Sequence, residues 1–238
     1  MTDIIIKPYL EGAHDAEGIV VIIDVFRACT NMALFLGRGA ERIIPQEDVS
    51  AAYAIKAAQP EYILMGEVEG KKVEGFDLGN SVSENAAIDY QGKTVIMRTT
   101  AGTRGVLAAT NASQVICGCF ANATAVEQYL FQEAMSYPDL PITLVPLGWA
   151  GVKRSVEDEV FARYLSDRLQ GQAPDIDEVT REIMGAELIR RFQDPKDLDF
   201  PEKDLEYCLS FGRYTVVPKL SIEDDLPVLR DVVRFPRY

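Results

Sequence analysis

The chain has 238 residues, of which 47% are hydrophobic and 26% are charged, and this is the composition of an ordinary globular protein. Its 24 basic and 37 acidic residues give a formal charge of −13, which disfavours nucleic acid and anionic lipid as partners because both would be repelled. No stretch approaches the roughly 20 apolar residues of a membrane span, and a secretion signal is not evident, so we expect a cytoplasmic protein.

Short apolar runs alternate along the chain with segments of helical character. The predicted strands are, in chain order, 19–23, 42–44, 62–65, 94–97, 114–116, 142–145 and 215–217. The predicted helices are 31–36, 49–58, 103–109, 123–135 and 156–169, with further helical sequence up to residue 192. This alternation predicts a three-layer α/β/α fold with a mostly parallel central sheet, a mixed sheet being the alternative.

Residues 1–238 are predicted to form a single domain, with a helical C-terminal subdomain from about residue 171 as an option. Ser155 is expected to cap the helix at 156–169, and Asp158 to complete a capping box. The four cysteines are not spaced as zinc ligands, since Cys117 and Cys119 are separated by one residue and only one histidine is present. We therefore expect reduced, mostly buried thiols.

Polar or glycine-rich loops follow five of the predicted strands. They cover residues 24–30, 66–70, 98–105, 118–122 and 148–151. In a parallel sheet the carboxyl ends of all strands lie at one edge, where open α/β folds bind their ligands. The five loops are therefore predicted to meet in one crevice.

The loop of residues 98–105 has groups suited to holding a phosphate. Gly102 and Gly105 would let backbone N–H groups at a helix start approach an anion closely. Arg98 and Arg104 would add charge-assisted contacts. The hydroxyl donors of this loop are Thr99, Thr100 and Thr103. The alternative is an ordinary capped turn with arginines that face solvent.

Asp24 and Glu67 each follow an apolar run, which makes them candidate ligands of a hard cation such as Mg²⁺. Asp77, or the pair Glu157 and Asp158, would supply a third ligand. Asp24 has two other interpretations, as a nucleophile or as a helix cap. Because a single acidic residue is most often a solvated surface group, the metal hypothesis depends on these acids coming together.

Several common phosphate-site motifs are absent from the sequence. Residues 92–94 read Gly-Lys-Thr, but Ala87 occupies the first glycine position of a P-loop and the triplet precedes a strand. No cysteine has an arginine six positions later, and Phe26 stands where a haloacid-dehalogenase site has its second aspartate. His14 is the sole histidine and has no Gly-x-Ser-x-Gly partner, which excludes the usual hydrolase triad.

Six blocks of sequence resemble the 2-phosphosulfolactate phosphatase family in their order and spacing. They are Asp24-Val-Phe-Arg27-Ala-Cys-Thr30, Gly66-Glu67, Gly75-Phe-Asp77-Leu-Gly79-Asn80-Ser81, Thr99-Thr-Ala-Gly-Thr103, Phe120-Ala-Asn122-Ala123 and Val156-Glu157-Asp158. The resemblance spans roughly residues 20 to 165, and the block at 75–81 is the most specific. It implies a three-layer α/β/α fold and a Mg²⁺-dependent phosphatase that converts 2-phosphosulfolactate to sulfolactate and phosphate in coenzyme M biosynthesis.

The sequence departs from the family pattern at three positions. Val68 stands in place of an arginine, Ala101 in place of an asparagine and Val82 in place of a proline. The lost arginine and amide would have been donors to an anionic substrate. Two alternatives therefore stand beside the family reaction: a phosphatase of another small organic-acid or sugar phosphate, and a non-catalytic anion-binding homologue.

The motifs and the resemblance together give a set of predicted roles. Asp24, Arg27 and Glu67 are the predicted catalytic residues, and Asp24, Glu67 and Asp158 the predicted ligands of Mg²⁺. The predicted substrate-binding residues are Thr99, Thr100, Gly102, Thr103, Arg104, Asn80, Ser81 and Asn122. A metal-activated water and a covalent attack by Asp24 are both open. The expected partner is a small anionic phosphate ester, and a homodimer is compatible with this size.

Overall fold

Ten strands and ten α-helices lie within residues 2–233, the part of the chain that the computed structural model describes. The strands are β1 (Ile4–Ile6), β2 (Gly18–Ile23), β3 (Arg42–Gln46), β4 (Ile63–Val68), β5 (Lys71–Lys72), β6 (Thr94–Arg98), β7 (Ala112–Gly118), β8 (Ile142–Pro146), β9 (Pro218–Glu223) and β10 (Leu226–Asp231). The helices are α1 (Tyr9–His14), α2 (Ala28–Gly37), α3 (Val49–Ala58), α4 (Val82–Asn85), α5 (Gly102–Ala108), α6 (Ala123–Ser136), α7 (Val156–Leu169), α8 (Ile176–Met184), α9 (Ile189–Phe192) and α10 (Asp204–Cys208), and a short 3₁₀ helix (Phe120–Asn122) precedes α6.

The strands form one mixed sheet with the order β1-β8-β2-β7-β9-β10-β3-β6-β4-β5. Two blocks are parallel within themselves, β1-β8-β2-β7 and β3-β6-β4. The hairpin of β9 and β10 lies between the blocks and is antiparallel to both. The α/β prediction with a mostly parallel sheet is confirmed, in its mixed form. Within residues 2–233, no helix combines the length and the apolar character needed to cross a bilayer.

Strand β2 lies in the interior of the first block and is buried along its whole length. Its sequence, Gly-Ile-Val-Val-Ile-Ile, is continuously apolar because helices cover both faces of a parallel block. Helix α2 follows directly and contacts β7, β9 and β3. Its residues from Ala28 to Leu36 are all buried, which explains why apolar side chains occur on every side of this helix.

The prediction that the carboxyl ends of all the parallel strands lie at one edge of the sheet was wrong. The inserted hairpin reverses the second block, so β3, β6 and β4 run opposite to β2 along the ladder of strand pairs. Helix α5 contacts β2, β7 and β3, so the two blocks approach each other across it.

Most of the predicted elements are confirmed with small shifts at their ends, and the helices at 49–58 and 156–169 have the predicted bounds. The late strand predicted at 215–217 was wrong, because β9 begins at Pro218. The predicted capping box of α7 was also wrong. Ser155 is at the N-cap position without a side-chain cap bond, and the Asp158 carboxylate bonds to two distant loops instead.

Candidate functional site

A cleft with an open volume of about 520 Å³ lies at the meeting point of the two blocks. The cleft is lined by the segments that follow β2, β4, β6 and β8, and by the start of α7. Phe200, in the C-terminal region, closes part of its wall. Four of the five polar loops predicted to converge therefore do so, and the loop after β7 does not line the cleft.

Five acidic residues line this cleft, and all but Glu69 are at most 8% exposed: Asp24, Glu67, Glu157 and Asp158. Burial, together with the neighbouring charge of Glu67, raises the pKa of Asp24 to about 6. Burial likewise raises the pKa of Glu157 to about 7, with a contribution from Asp24. The pKa of Asp158 is well above its ordinary value, first through burial and then through the charge of Glu157. A concentration of buried negative charge of this kind calls for a compensating cation.

Backbone N–H groups fix the positions of Asp24 and Asp158. One Asp24 oxygen accepts from the N–H of Ala28 at 3.1 Å, at the start of α2. The N–H of Gly102, at the start of α5, also donates to the Asp24 carboxylate. Asp158 accepts from Val25 and Gly148 at 2.8 Å each, so it joins the loops that follow β2 and β8. These carboxylates are therefore held rigidly in the cleft wall.

Glu67, in β4, is held by the loop that follows the neighbouring strand β6. The backbone N–H of Thr100 donates to Oε1 at 2.5 Å, and the Thr100 hydroxyl donates to Oε2 at 2.9 Å. The N–H of Gly70 donates to Oε2 at 2.6 Å. Thr100 lies at the cleft as predicted, but its polar groups serve to orient Glu67.

Gly102 permits the close approach of α5 to α2. A Cβ at this position would lie 2.3 Å from the Cβ of Ala28 and 3.1 Å from Oδ2 of Asp24. The first contact is far shorter than any real Cβ contact, so a larger residue would push the two helix starts apart. Gly102 was predicted to bind an anion through its backbone. Its N–H lies next to Asp24 instead.

The predicted amide cradle for phosphate is largely occupied by acceptors of the protein itself. The N–H of Thr103 donates to the Thr99 hydroxyl at 3.0 Å, and the N–H of Thr99 donates to the Thr103 hydroxyl at 3.0 Å. Thr99 and Thr103 are buried by this reciprocal bonding and do not line the cleft. The N–H groups of Thr100 and Gly102 are directed to Glu67 and Asp24, as described above.

Arg27 lines the cleft and is almost fully buried. Its Nη1 donates to Oδ2 of Asp204 at 2.7 Å and to the carbonyl of Asp199 at 2.8 Å. The guanidinium lies over the Phe200 ring at 4.5 Å from its centre. Within residues 2–233, Nε of Arg27 has no hydrogen-bond partner. The C-terminal region therefore positions the one arginine of the cleft wall.

The other predicted site residues are divided between the cleft and its surroundings. Asn80 lines the cleft, and its side-chain oxygen accepts from Asn31 at 3.0 Å. Ser81 lies behind the wall and donates to Asp204 at 2.8 Å. Arg104 is turned away and pairs with Glu47 at 3.2 Å. The structure thus brings Asn80 to the cleft, but neither Ser81 nor Arg104.

Asn122 also lies away from the cleft and is completely buried. It accepts from the N–H of Cys119 at 2.9 Å and donates to the carbonyls of Cys117 and Val216 at 3.2 and 3.1 Å. These bonds tie the loop after β7 to the segment before β9. The Asn122 side chain is thus engaged in hydrogen bonds to backbone groups of both segments.

We expect Asn122→Ala to lower the free energy of unfolding by about 2–3 kcal/mol, since it leaves several buried backbone groups without partners. Chemical denaturation measures this. Asn111→Ala is the matched control, because Asn111 makes one exposed bond to the carbonyl of His14 and should cost no more than about 0.5 kcal/mol. A raised KM in Asn122→Ala with unchanged stability would support the substrate-binding role instead.

Two contributors to the cleft were not predicted, Phe200 in its wall and Asp204 behind Arg27. Trp149 belongs to a loop that was predicted to converge there, and Glu157 was predicted only as an alternative ligand. Phe200 and Asp204 come from a stretch that appeared to be a connecting loop, and no motif marks them. The other alternative ligand, Asp77, lies outside the cleft lining, where it accepts from Leu64 N–H and Lys56 at 2.8 Å each.

The acids of the cleft fit a magnesium ion that keeps most of its water. Among residues 2–233, no three His, Cys, Asp or Glu side chains are arranged so that they could jointly hold a metal ion. Mg²⁺ is commonly held by one or two carboxylates together with several waters, so it does not require three direct protein ligands. The buried, mutually repelling carboxylates provide a donor set of the right chemistry.

Comparison with known proteins gives a consistent result. The family model described as 2-phosphosulpholactate phosphatase matches residues 5–223. A protein of Caldicellulosiruptor saccharolyticus is 34% identical over 217 residues, which cover 84% of this chain and 89% of the relative. A protein of Carboxydothermus hydrogenoformans is 33% identical over 235 residues, with coverages of 91% and 92%. Both relatives bear the name "Probable 2-phosphosulfolactate phosphatase".

Proposed function

The chain belongs to the 2-phosphosulfolactate phosphatase family, and we propose that it hydrolyses a small phosphate monoester with the help of Mg²⁺, with 2-phosphosulfolactate as the foremost candidate. The observation that carries this proposal is the convergence of four buried carboxylates in one cleft. An anionic ester would be repelled from such a cleft in the absence of a cation. A hard cation bound by these acids removes the conflict.

A Mg²⁺ ion in the cleft would polarise a phosphoryl oxygen and activate a water. Asp24 is the main candidate to hold it, because the N–H groups of Ala28 and Gly102 fix its carboxylate at the cleft wall. Glu67 and Asp158 would hold the ion or orient its waters. Their oxygens already accept N–H bonds, which keep both side chains in place and leave lone pairs free.

Arg27 would supply positive charge to the phosphoryl group from the cleft wall. Its pairing with Asp204 fixes the plane of the guanidinium, and its Nε is available as a donor. Asn80 would orient the substrate body. Because the N–H groups of the loop after β6 are bonded within the protein, we assign phosphate contact to Arg27 and the cation rather than to that loop.

Phosphate release from a panel of esters tests the proposal. The protein is first freed of metal with a chelator and then assayed with 2-phosphosulfolactate, other organic-acid phosphates and sugar phosphates. We expect release only after Mg²⁺ is restored, with metal-free turnover at least about 100-fold lower. Equal turnover without metal would refute the role of the cation, and failure with every ester would favour a non-catalytic homologue.

A phosphatase of a different organic-acid or sugar phosphate is the second candidate function. Ala101 lines the cleft, and Val68 follows Glu67 in β4, so two of the three departures from the family pattern adjoin the proposed chemistry. A non-catalytic anion-binding role is less well supported, because a simple anion site would not concentrate carboxylates. A place in coenzyme M biosynthesis, the cytoplasmic location and a homodimer stay predictions.

A further inference from the structure

A second, larger groove adjoins the catalytic cleft. Its open volume is about 1090 Å³, and it shares Trp149, Ser155 and Glu157 with the cleft. The two cavities therefore meet along the segment between β8 and α7. The groove therefore lies next to the buried acids of the cleft, with Trp149 in the wall of both cavities.

The groove is basic, in contrast to the protein as a whole. Its basic lining residues are Lys153, Arg154, Arg190 and Arg191, against the two acids Glu157 and Glu187. Arg154 pairs with Glu159 at 2.7 Å and Arg191 with Asp197 at 2.8 Å. Across residues 2–233, the side chains of Lys153 and Arg190 have no ion-pair partner. In a chain of formal charge −13, two unpaired cations beside a substrate cleft favour an anionic ligand.

Apolar side chains form the rest of the groove wall, from Trp149 and Val156 on one side to Leu188 on the other. The Arg191 guanidinium lies 5.7 Å from the centre of the Trp149 ring and 3.7 Å from that of Phe200, which fixes the aromatic group at the junction of the two cavities. The groove thus suits a hydrocarbon chain that ends in a charged group.

We propose that this groove holds the alcohol part of longer substrates, and that the protein also takes phosphate monoesters with a longer chain than 2-phosphosulfolactate, ending in a carboxylate or sulfonate bound by Lys153 and Arg190. The inference rests on the proposed phosphatase function. The groove is the larger of the two cavities, with an open volume of about 1090 Å³ against about 520 Å³, so it has room for an alcohol chain longer than three carbons.

Binding of a graded series of ω-carboxyalkyl phosphonates, measured by calorimetry in the presence of Mg²⁺, tests the proposal. These probes are not hydrolysed, so binding is separated from turnover. We expect the affinity of the wild-type protein to rise about tenfold as the chain grows from two carbons to five or six, once the carboxylate reaches the two cations. An affinity that does not depend on chain length would overturn the proposal.

The variant Lys153→Gln/Arg190→Gln should lose this dependence on length while it still binds the two-carbon phosphonate as the wild type does. Arg38→Gln/Lys93→Gln is the matched control, because it removes the same charge at exposed positions outside both cavities and should keep the dependence. Retention of the dependence in the groove variant would refute the assignment. If no phosphonate binds, the phosphoryl site fails as well, whereas equal binding of all of them refutes the groove alone.

Discussion

The variant Asp24→Asn is expected to lower kcat by at least about 100-fold, the largest effect of any single change in the cleft. The Asp24 carboxylate accepts from the backbone N–H groups of Ala28 and Gly102, which lie at the starts of two different helices. Asparagine keeps the size of the side chain but removes its charge. Whether the carboxylate binds Mg²⁺ or attacks phosphorus itself, that charge is required. Phosphate release under saturating ester measures the loss.

A second measurement separates the loss of metal binding from a loss of folding. A ligand that binds the native state raises the midpoint of thermal unfolding, so Mg²⁺ should stabilise the wild-type protein and stabilise Asp24→Asn much less. Asp48→Asn is the matched control. Asp48 caps α3 outside the cleft and is replaced by an equally good capping residue, so kcat should stay within about twofold. Normal turnover in Asp24→Asn would eliminate both the metal-bound and the covalent role.

The elements that were predicted best from the sequence are those whose residues lie in one consistent environment along the element. Strand β2 is apolar at every position because both of its faces are covered, and α7 begins after Ser155 where the pattern of apolar spacing changes. The structure brings Asp24, Glu67 and Asp158 to one cleft, and each belongs to a sequence block next to a strand end or helix start. Local sequence was sufficient for these features.

The hairpin of β9 and β10 was missed because its residues are only partly buried and include charged side chains. A signal was nevertheless present. Asp224 and Asp225 have positive φ values of 49° and 64° and form a two-residue connection, and aspartate is among the residues that such turns favour. Because the hairpin was not predicted, the sheet was expected to be more uniformly parallel than it is. The prediction that the carboxyl ends of all strands meet at one edge followed from that error.

Asp204 could not have been predicted from any local pattern, because its role depends on a partner far away in the chain. It is completely buried, and it joins Arg27 to the segment around Ser81 through Oδ2 and Oδ1 respectively. Ser83 also donates to Oδ1, through its N–H at 2.8 Å and through its hydroxyl at 2.7 Å. Removal of this one carboxylate therefore affects a buried charge and three further donors.

We expect Asp204→Ala to lower the free energy of unfolding by about 3–5 kcal/mol, because it leaves the buried Arg27 guanidinium without its counter-charge. Denaturant titration at constant pH measures this. Asp197→Ala is the matched control in the same region, since Asp197 pairs with Arg191 where both side chains are partly exposed, and its loss should cost no more than about 1 kcal/mol.

The same pair links stability to activity. Asp204→Asn keeps the size of the side chain but turns one acceptor oxygen into an NH2 donor. If the remaining oxygen stays with Ser81 and Ser83, the bond to Arg27 is lost, and a folded protein with a raised KM is expected as Arg27 loses its fixed orientation. KM measured separately from kcat distinguishes this positioning role from a general loss of structure. If Asp204→Ala cost no more stability than Asp197→Ala, and Asp204→Asn left KM unchanged, the C-terminal region would merely cover the cleft and Arg27 would need no partner to act.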